Sequence, residues 1–140
     1  MALPVPLPAD MFTLDYRADQ HLLVARWLRP VELAELQTSY EAILEAALDH
    51  GNCRHWLLDV RRRAITDPDV MAWFGQQFSP RLPAALGGPV FVAYFAMITQ
   101  EVATNLPTLR DNIAVGQLSG THYTYFNRED EALAWLAKQP

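Results

Sequence analysis

Two different hydrophobic periods along the chain separate predicted strands from predicted helices. Phe12–Arg17 alternates apolar and polar residues, which is the period of a strand with one buried face, and Ala18–Gln20 reads as a turn. His21–Leu28 continues as a second strand, so these segments predict a hairpin. Val90–Ile98 is apolar without alternation, a pattern typical of a strand that is buried on both faces. We therefore expect Val90–Ile98 near the centre of a sheet that helices cover.

The first predicted helix follows Pro30 and ends at Gly51. Its apolar residues recur at helical spacing and form one stripe: Leu36, Tyr40, Ile43, Leu44, Ala47 and Leu48. The next strand is His55–Val60. A second helix begins at Pro68, which needs no N–H partner at the first helical position, and Asp67 precedes it as a predicted cap.

The remaining patterns predict two more helices and one strand. Ser79-Pro80 interrupts the second helix, because proline lacks the N–H that a helix interior needs, and Gly87-Gly88 ends that helix. Thr99 begins a third helix that ends near Gly116. Thr121–Phe126 alternates as an edge strand does, and Asn127 is the predicted cap of a closing helix.

The resulting order, β-β-α-β-α-β-α-β-α, predicts a single α/β domain. Strands that alternate with helices form a largely parallel sheet with helices layered on it, and the opening hairpin adds an antiparallel strand. The sheet is therefore mixed but mostly parallel. Residues 1–10 contain three prolines and predict an extended arm, and residues 11–140 form the domain.

Composition narrows the class of protein. A chain of 140 residues that is 51% apolar can bury a core without a disulfide or a metal, and Cys53 is its single cysteine. The net charge of −5 argues against nucleic acid as a partner. The N-terminal residues lack the basic start of a signal peptide, and Val90–Ile98 is much shorter than the ~20 residues of a membrane-spanning helix. We expect a cytoplasmic protein without membrane insertion.

The charged segment after the third strand is the candidate functional site. Its residues combine carboxylates, guanidinium groups and one hydroxyl: Asp59, Arg61, Arg62, Arg63, Thr66, Asp67 and Asp69. If strand alternation continues past Asp59, Arg61 and Arg63 share its side and Arg62 does not. Guanidinium groups suit anions and acidic partners, so this is a candidate interaction surface. The structural alternative is that Asp59 pairs with an arginine and that Asp67 and Asp69 only stabilise a helix start.

The sequence gives weaker signals for phosphorylation, for metal binding and for a ligand pocket. A phosphorylated Thr66 would lie beside arginines and a helix N-terminus, although helix capping explains Thr66, Asp67 and Asp69 without regulation. The histidines are scattered over different elements and lack metal-ligand spacing, so we expect no metal and no cofactor. The four tryptophans fit a core or an interface better than a ligand pocket.

Three segments resemble the STAS fold of anti-sigma-factor antagonists, in the bacterial branch that is also similar to lipid-binding CRAL-TRIO domains. They are WLLDVRRRAITDPDV, VFVAYFAMI and YFNREDEALAWLAKQ, and the resemblance spans about residues 11–138. In the antagonists, a kinase phosphorylates a serine at the start of the helix that follows the strand corresponding to His55–Val60. Pro68 stands at that position and cannot accept phosphate. The resemblance therefore implies a STAS-like domain without the usual phosphoserine switch.

The resulting functional hypothesis is a non-enzymatic protein-interaction or regulatory module with an unidentified protein partner. The alternative is a small-molecule or lipid-binding domain with an apolar cavity, as the CRAL-TRIO likeness implies. An enzyme ranks third, because no catalytic set is visible in the sequence. The apolar arm and the exposed strand edges also predict a homodimer.

Overall fold

A five-stranded mixed sheet organises the chain. The computed structural model describes residues 10–63, 73–96 and 120–139. The strands are β1 Phe12–Arg17, β2 Leu22–Trp27, β3 His55–Asp59, β4 Val90–Phe95 and β5 Thr121–Phe126. They lie in the order β1-β2-β3-β4-β5, with β1 antiparallel to β2 and all other neighbours parallel. The predicted α/β class, the hairpin and the mostly parallel sheet are confirmed.

The helices of the described residues are α1 Leu33–Asp49, α2 Leu82–Leu86 and α3 Glu129–Ala137. At the start of α1, the Glu32 side chain accepts from the backbone and the Glu35 side chain accepts from the Glu32 N–H at 3.1 Å. This reciprocal cap satisfies N–H groups that the first helical turn leaves free. Of the predicted stripe, Leu36, Tyr40, Ile43, Leu44 and Ala47 are buried, so α1 packs on the sheet through that face. The prediction was wrong for Leu48, which is 45% exposed at the end of the helix.

The segment between β3 and β4 changes helix type along its length. Phe74–Phe78 is a π-helical turn, Ser79–Arg81 is a 3-10 turn, and α2 follows. Pro80 prevents a regular α-helix here because it cannot donate a backbone hydrogen bond. Gly87 ends α2 with a φ of 79°, a conformation that glycine adopts without steric cost. The predicted interruption at Ser79-Pro80 and the end at Gly87 are confirmed.

Two cores cover the two faces of the sheet, because successive strand residues point to opposite sides. The α1 face carries Leu23, Ala25, Trp27, Trp56, Leu58, Val92 and Tyr94 together with residues of α1 and α2. The α3 face carries Leu22, Val24, Leu57, Phe91, Ala93 and Phe95 against Ala132 and Leu136 of α3. All six residues of β4 are buried, as expected for a strand covered on both faces, and β5 is an edge strand.

One predicted cap is wrong. The residue that precedes α3 is Arg128, not Asn127, and its side chain makes no capping hydrogen bond. Instead, the first turn of α3 contains Glu129, Asp130 and Glu131, whose negative charges favour the positive end of the helix dipole. The Asp130 carboxylate also accepts from the Glu131 N–H at 3.0 Å.

Several predictions fall outside the described residues. They are the arm apart from Asp10, the start of the second helix at Asp67-Pro68, and the third helix between Thr99 and Gly116.

Candidate functional site

The candidate site lies at the carboxyl edge of the sheet, where the parallel strands β2 to β5 all end. In α/β proteins this edge commonly holds ligands and partners. The strand register places Arg26, Asp59, Phe95 and Phe126 side by side on the α3 face. A charged pair and an aromatic pair therefore form one row across four strands.

Asp59 is the centre of an ion-pair network. Its Oδ2 accepts from Arg26 Nη1 at 2.9 Å and from Arg61 Nη2 at 2.9 Å. Its Oδ1 accepts from Arg61 Nε at 3.0 Å and from the Arg61 backbone N–H at 3.2 Å. The side chain of Asp59 is only 6% exposed. Both carboxylate oxygens are thus occupied by donors, two of them in the bidentate arrangement that arginine favours.

Burial and hydrogen bonding shift the pKa of the Asp59 carboxyl in opposite directions. Burial of Asp59 disfavours its charged form, but the hydrogen bonds from Arg61 and Arg26 outweigh burial and lower its pKa below the usual value. Asp59 is therefore a carboxylate at neutral pH, with little tendency to take up a proton. Its role in this geometry is to hold two arginines in place.

The network also joins α3 to the sheet. Arg26 Nη2 lies 2.7 Å from the Glu129 Oε1, at the first residue of α3. Arg26 therefore connects Asp59 of β3 to the start of α3. Sequence reasoning missed both Arg26 and Glu129. A signal for Arg26 existed, because it is the single charged residue of the apolar strand LLVARW.

The three arginines after β3 separate in space. The chain turns after Val60, with the Arg63 N–H donating to the Val60 carbonyl at 3.1 Å, so strand alternation stops there. Arg61 lies on the α3 face, with its guanidinium 4.2 Å from the centre of the Phe95 ring. Arg63 lies on the opposite, α1 face, and Arg62 is exposed. The expectation that Arg61 and Arg63 share a side was wrong, because it extended the strand too far.

Arg63 is part of the core and not of the surface. The residue is 8% exposed, its guanidinium carbon is 4.5 Å from the centre of the Trp27 ring, and its Nη1 donates to the Tyr40 hydroxyl at 3.2 Å. The Tyr40 and Tyr94 hydroxyls are hydrogen-bonded at 2.8 Å. Among the described residues, the buried Arg63 Nε has no hydrogen-bond partner. We call Arg63, Trp27, Tyr40 and Tyr94 the arginine–aromatic cluster.

Two buried tyrosines of this region, Tyr94 and Tyr125, stay protonated at neutral pH. Burial raises the pKa of Tyr94 well above its usual value, and burial also raises the pKa of Tyr125. Tyr94 and Tyr125 stack with their ring centres 5.0 Å apart. Sequence reasoning missed Tyr40 as a partner of Arg63 and Tyr94 as a partner of Tyr40, because helical spacing at Tyr40 and an unbroken apolar run at Tyr94 indicated only core positions.

The other candidate residues have ordinary positions or are not described. Thr66, Asp67 and Asp69 lie outside the described residues. Cys53 is buried, and burial raises the pKa of its thiol, which disfavours the reactive thiolate form. His21 and His50 both contact the Tyr16 ring, and the Tyr16 hydroxyl lies 2.6 Å from His21 Nδ1. Within residues 10–63, 73–96 and 120–139, no group of histidine, cysteine and acidic side chains is placed to hold a metal ion.

Clefts lined by described residues are open to solvent. One of about 280 Å³ lies between β2 and α3 and is lined by Leu22, His55, Leu133 and Leu136, among others. Another, of about 430 Å³, is lined by His21, Arg54 and His55 together with loop residues. Both involve Gln20 and His55, at the amino ends of β2 and β3, and so lie away from the charged network.

Comparisons with known proteins found no matching family model, no matching curated protein and no matching solved structure. Among the helices that the structure describes, none has the length and apolar character needed to cross a membrane.

Proposed function

We propose that this chain is a cytoplasmic, non-enzymatic interaction or regulatory module of the STAS-like type. Its working surface would be the carboxyl edge of the sheet around Asp59, Arg61 and Arg62. The STAS-like assignment rests on the sequence resemblance, and the site assignment rests on the geometry of the described residues.

The observation that carries this proposal is that hydrogen-bond donors occupy both carboxylate oxygens of Asp59. A carboxylate that accepts from Arg26 and Arg61 and has a lowered pKa is poorly suited to proton transfer. The same bonds fix the start of the loop that presents Arg62 to solvent. A loop that is fixed at its start and carries an exposed guanidinium suits recognition of an acidic partner, because less backbone freedom is lost on binding.

Regulation in this proposal does not use the phosphoserine of the antagonists. Pro68 stands at the position that the resemblance assigns to that serine. Partner capture would therefore depend on the charges of the loop and not on a kinase that acts at this position.

Site-specific photocrosslinking in host cells tests the proposed surface. A photoreactive phenylalanine analogue at Asn127, which is exposed directly after β5 at the same edge of the sheet, should crosslink to one protein partner, and the same analogue at Lys138, on a distant part of the chain, should not. Arg62→Glu, in the chain that carries the analogue at position 127, should abolish the crosslink because it reverses the exposed charge. No crosslink from position 127, equal crosslinking from positions 127 and 138, or a crosslink that Arg62→Glu leaves unchanged would contradict a docking surface at this loop.

A second candidate function is the small-molecule or lipid-binding domain. The observation that favours it is the arginine–aromatic cluster, because a buried cation among aromatic rings resembles the polar anchor of an otherwise apolar ligand site. Native mass spectrometry of the full chain purified from its host should then show a bound small molecule. A ligand-free mass in repeated preparations would remove this candidate.

A further inference from the structure

Arg54 is a partly exposed arginine at the amino edge of the sheet, directly before β3. Among the described residues, no carboxylate pairs with it, whereas carboxylates pair with five other arginines: Arg26, Arg29, Arg61, Arg81 and Arg128. Arg54 Nη1 donates to the Pro89 carbonyl at 3.4 Å. Gly88 leaves room for this guanidinium, because a Cβ there would collide with Arg54 Nη1. The described residues thus hold a cation at the surface and do not neutralise it.

The cleft of about 430 Å³ at this edge places further polar groups beside Arg54. The side-chain amides of Gln20 and Asn52 line it, as do the imidazoles of His21 and His55, and these groups carry N–H donors. None of the described residues that line the cleft carries a carboxylate. A guanidinium among N–H donors, without a competing carboxylate, suits an oxyanion.

Two helix ends border the same cleft and act against an anion, but only weakly. Gly51 follows the end of α1 and Gly87 follows the end of α2, and both residues line the cleft. The partial negative charge at a helix C-terminus weakens the binding of an exposed anion by roughly fivefold at most, and α2 has only five residues. A charge-assisted hydrogen bond from a guanidinium strengthens binding by roughly tenfold or more. The contribution of Arg54 therefore outweighs that of the helix ends.

The cleft of about 280 Å³ adjoins the polar one and is lined by apolar side chains of β2 and α3. Leu22, Leu133 and Ala137 are among them. Gln20 and His55 line both clefts, so the two meet across the amino ends of β2 and β3. A molecule that fills both clefts therefore meets polar donors at one end and apolar side chains at the other.

From these observations we propose that the two clefts together bind an amphiphile that has a singly charged oxyanion head and an apolar chain. The head contacts Arg54, and the chain lies along Leu22 and Leu133. One guanidinium neutralises one negative charge, so a singly charged head fits better than a dianion. Burial of the chain adds affinity that a free oxyanion lacks. The inference shares the ligand-binding role of the second candidate function but uses other residues, so each can fail alone.

The test uses the full chain and three probes. Octyl sulfate combines the singly charged head with an apolar chain, methyl sulfate keeps the head without the chain, and octyltrimethylammonium keeps the chain with the opposite charge. Isothermal titration calorimetry, below the concentrations at which the octyl probes form micelles, measures binding. We expect saturable binding of octyl sulfate, much weaker binding of methyl sulfate and no binding of octyltrimethylammonium.

Variants assign the binding to the two clefts. Arg54→Gln should weaken octyl sulfate binding by roughly tenfold or more, because it removes the cation, while Arg128→Gln, at an exposed arginine beside α3, should bind as the wild type does. Ala137→Glu places a negative charge at an exposed position of the apolar cleft and should weaken binding by roughly threefold or more. Ala134→Glu, at an exposed α3 residue that does not line the cleft, is its control. If Arg54→Gln does not fold, as judged by its Tm, Ala137→Glu decides the assignment.

Several outcomes would overturn the inference. They are no saturable binding of octyl sulfate, equal affinity for methyl sulfate or for octyltrimethylammonium, or wild-type affinity in folded Arg54→Gln or Ala137→Glu. If native mass spectrometry finds a bound molecule while octyl sulfate fails, the second candidate function survives and the site at the amino edge does not. The photocrosslinking experiment at position 127 concerns the opposite edge of the sheet and is independent of both results.

Discussion

Replacing Asp59 by asparagine should destabilise the fold strongly while keeping the shape of the side chain. The substitution removes the negative charge that two arginines share and turns one acceptor oxygen into a donor. Arg26 Nη1 and Arg61 Nη2 both lie 2.9 Å from Oδ2, and Arg61 Nε lies 3.0 Å from Oδ1, so the amide N–H₂ group faces at least one of these donors in either orientation. The link from Arg26 to Glu129 remains and limits the loss to the Asp59 side of the network.

The expected loss in the free energy of unfolding follows from how deeply Asp59, Arg26 and Arg61 are buried. Removing one partner of a buried ion pair costs roughly 3–5 kcal/mol, because the other charge stays buried and unpaired. Here Asp59 is 6% exposed, but Arg26 and Arg61 are 27% and 40% exposed and regain some hydration when the pair is broken. We therefore expect a loss of about 2–3 kcal/mol in the free energy of unfolding at pH 7, below the fully buried range.

The destabilisation caused by Asp59→Asn should disappear in acid. The pKa of Asp59 is lower in the folded protein than its usual value, so its stabilising contribution is complete above the usual pKa. That contribution is lost as the pH falls through the lowered folded-state pKa, because protonation then removes the same charge that the substitution removes. Wild type and Asp59→Asn should therefore differ at pH 7 and converge once the pH falls below the lowered pKa of Asp59 in the folded protein.

Urea unfolding followed by tryptophan fluorescence measures the loss of unfolding free energy at pH 7 and its disappearance in acid. Asp130→Asn is the control, since Asp130 pairs with Arg128 where both side chains are about two-thirds exposed, and such pairs contribute little. Equal unfolding free energies for the two variants at pH 7 would refute the stabilising role of the network. A difference between wild type and Asp59→Asn that persists unchanged in acid would refute the electrostatic explanation.

Two further predictions concern the backbone and the assembly. Gly120 has a φ of 94°, and an added Cβ would lie 3.0 Å from the Pro83 ring, so Gly120→Ala should lower the unfolding free energy by about 1–3 kcal/mol in urea titrations. Gly88→Ala should cost less, because its Cβ would meet only the flexible end of Arg54; an equal cost would contradict the strain at Gly120. If the arm mediates a homodimer, deletion of residues 1–9 should lower the mass seen by light scattering from dimer to monomer, whereas a full chain that is monomeric at all concentrations would rule out the dimer.

Most of the described fold could be predicted because local patterns and sheet geometry agree. The alternation in β1 and β5 reflects strands with unequal faces, and the unbroken apolar run of β4 reflects a strand buried on both. Pro80 and Gly87 act through their own backbone chemistry, so their effects need no tertiary information. The cap of α3 was missed because the acidic first turn, and not Asn127, supplies the favourable interactions.

The site was harder to predict because its contacts join residues that are distant in sequence. The sequence indicates that Asp59 ends a strand beside arginines, but strand register decides that Arg26 is its other partner. The turn after Val60 sends Arg61 and Arg63 to opposite faces, which depends on one backbone hydrogen bond. Charge patterning alone therefore groups three arginines that the structure separates into an ion pair, an exposed residue and a core residue.

The unequal covering of the sheet has a consequence for how the chain is made. The α1 face meets its covering helix early in chain order, because α1 follows directly after the hairpin. On the other face, the described element that covers Leu22, Val24, Leu57 and Phe91 is α3, which follows all five strands. During synthesis, the part of this face that packs on α3 lacks that cover until Glu129–Ala137 leaves the ribosome. Nascent chains that stall before α3 should expose this apolar part of the sheet and depend on chaperones to avoid aggregation.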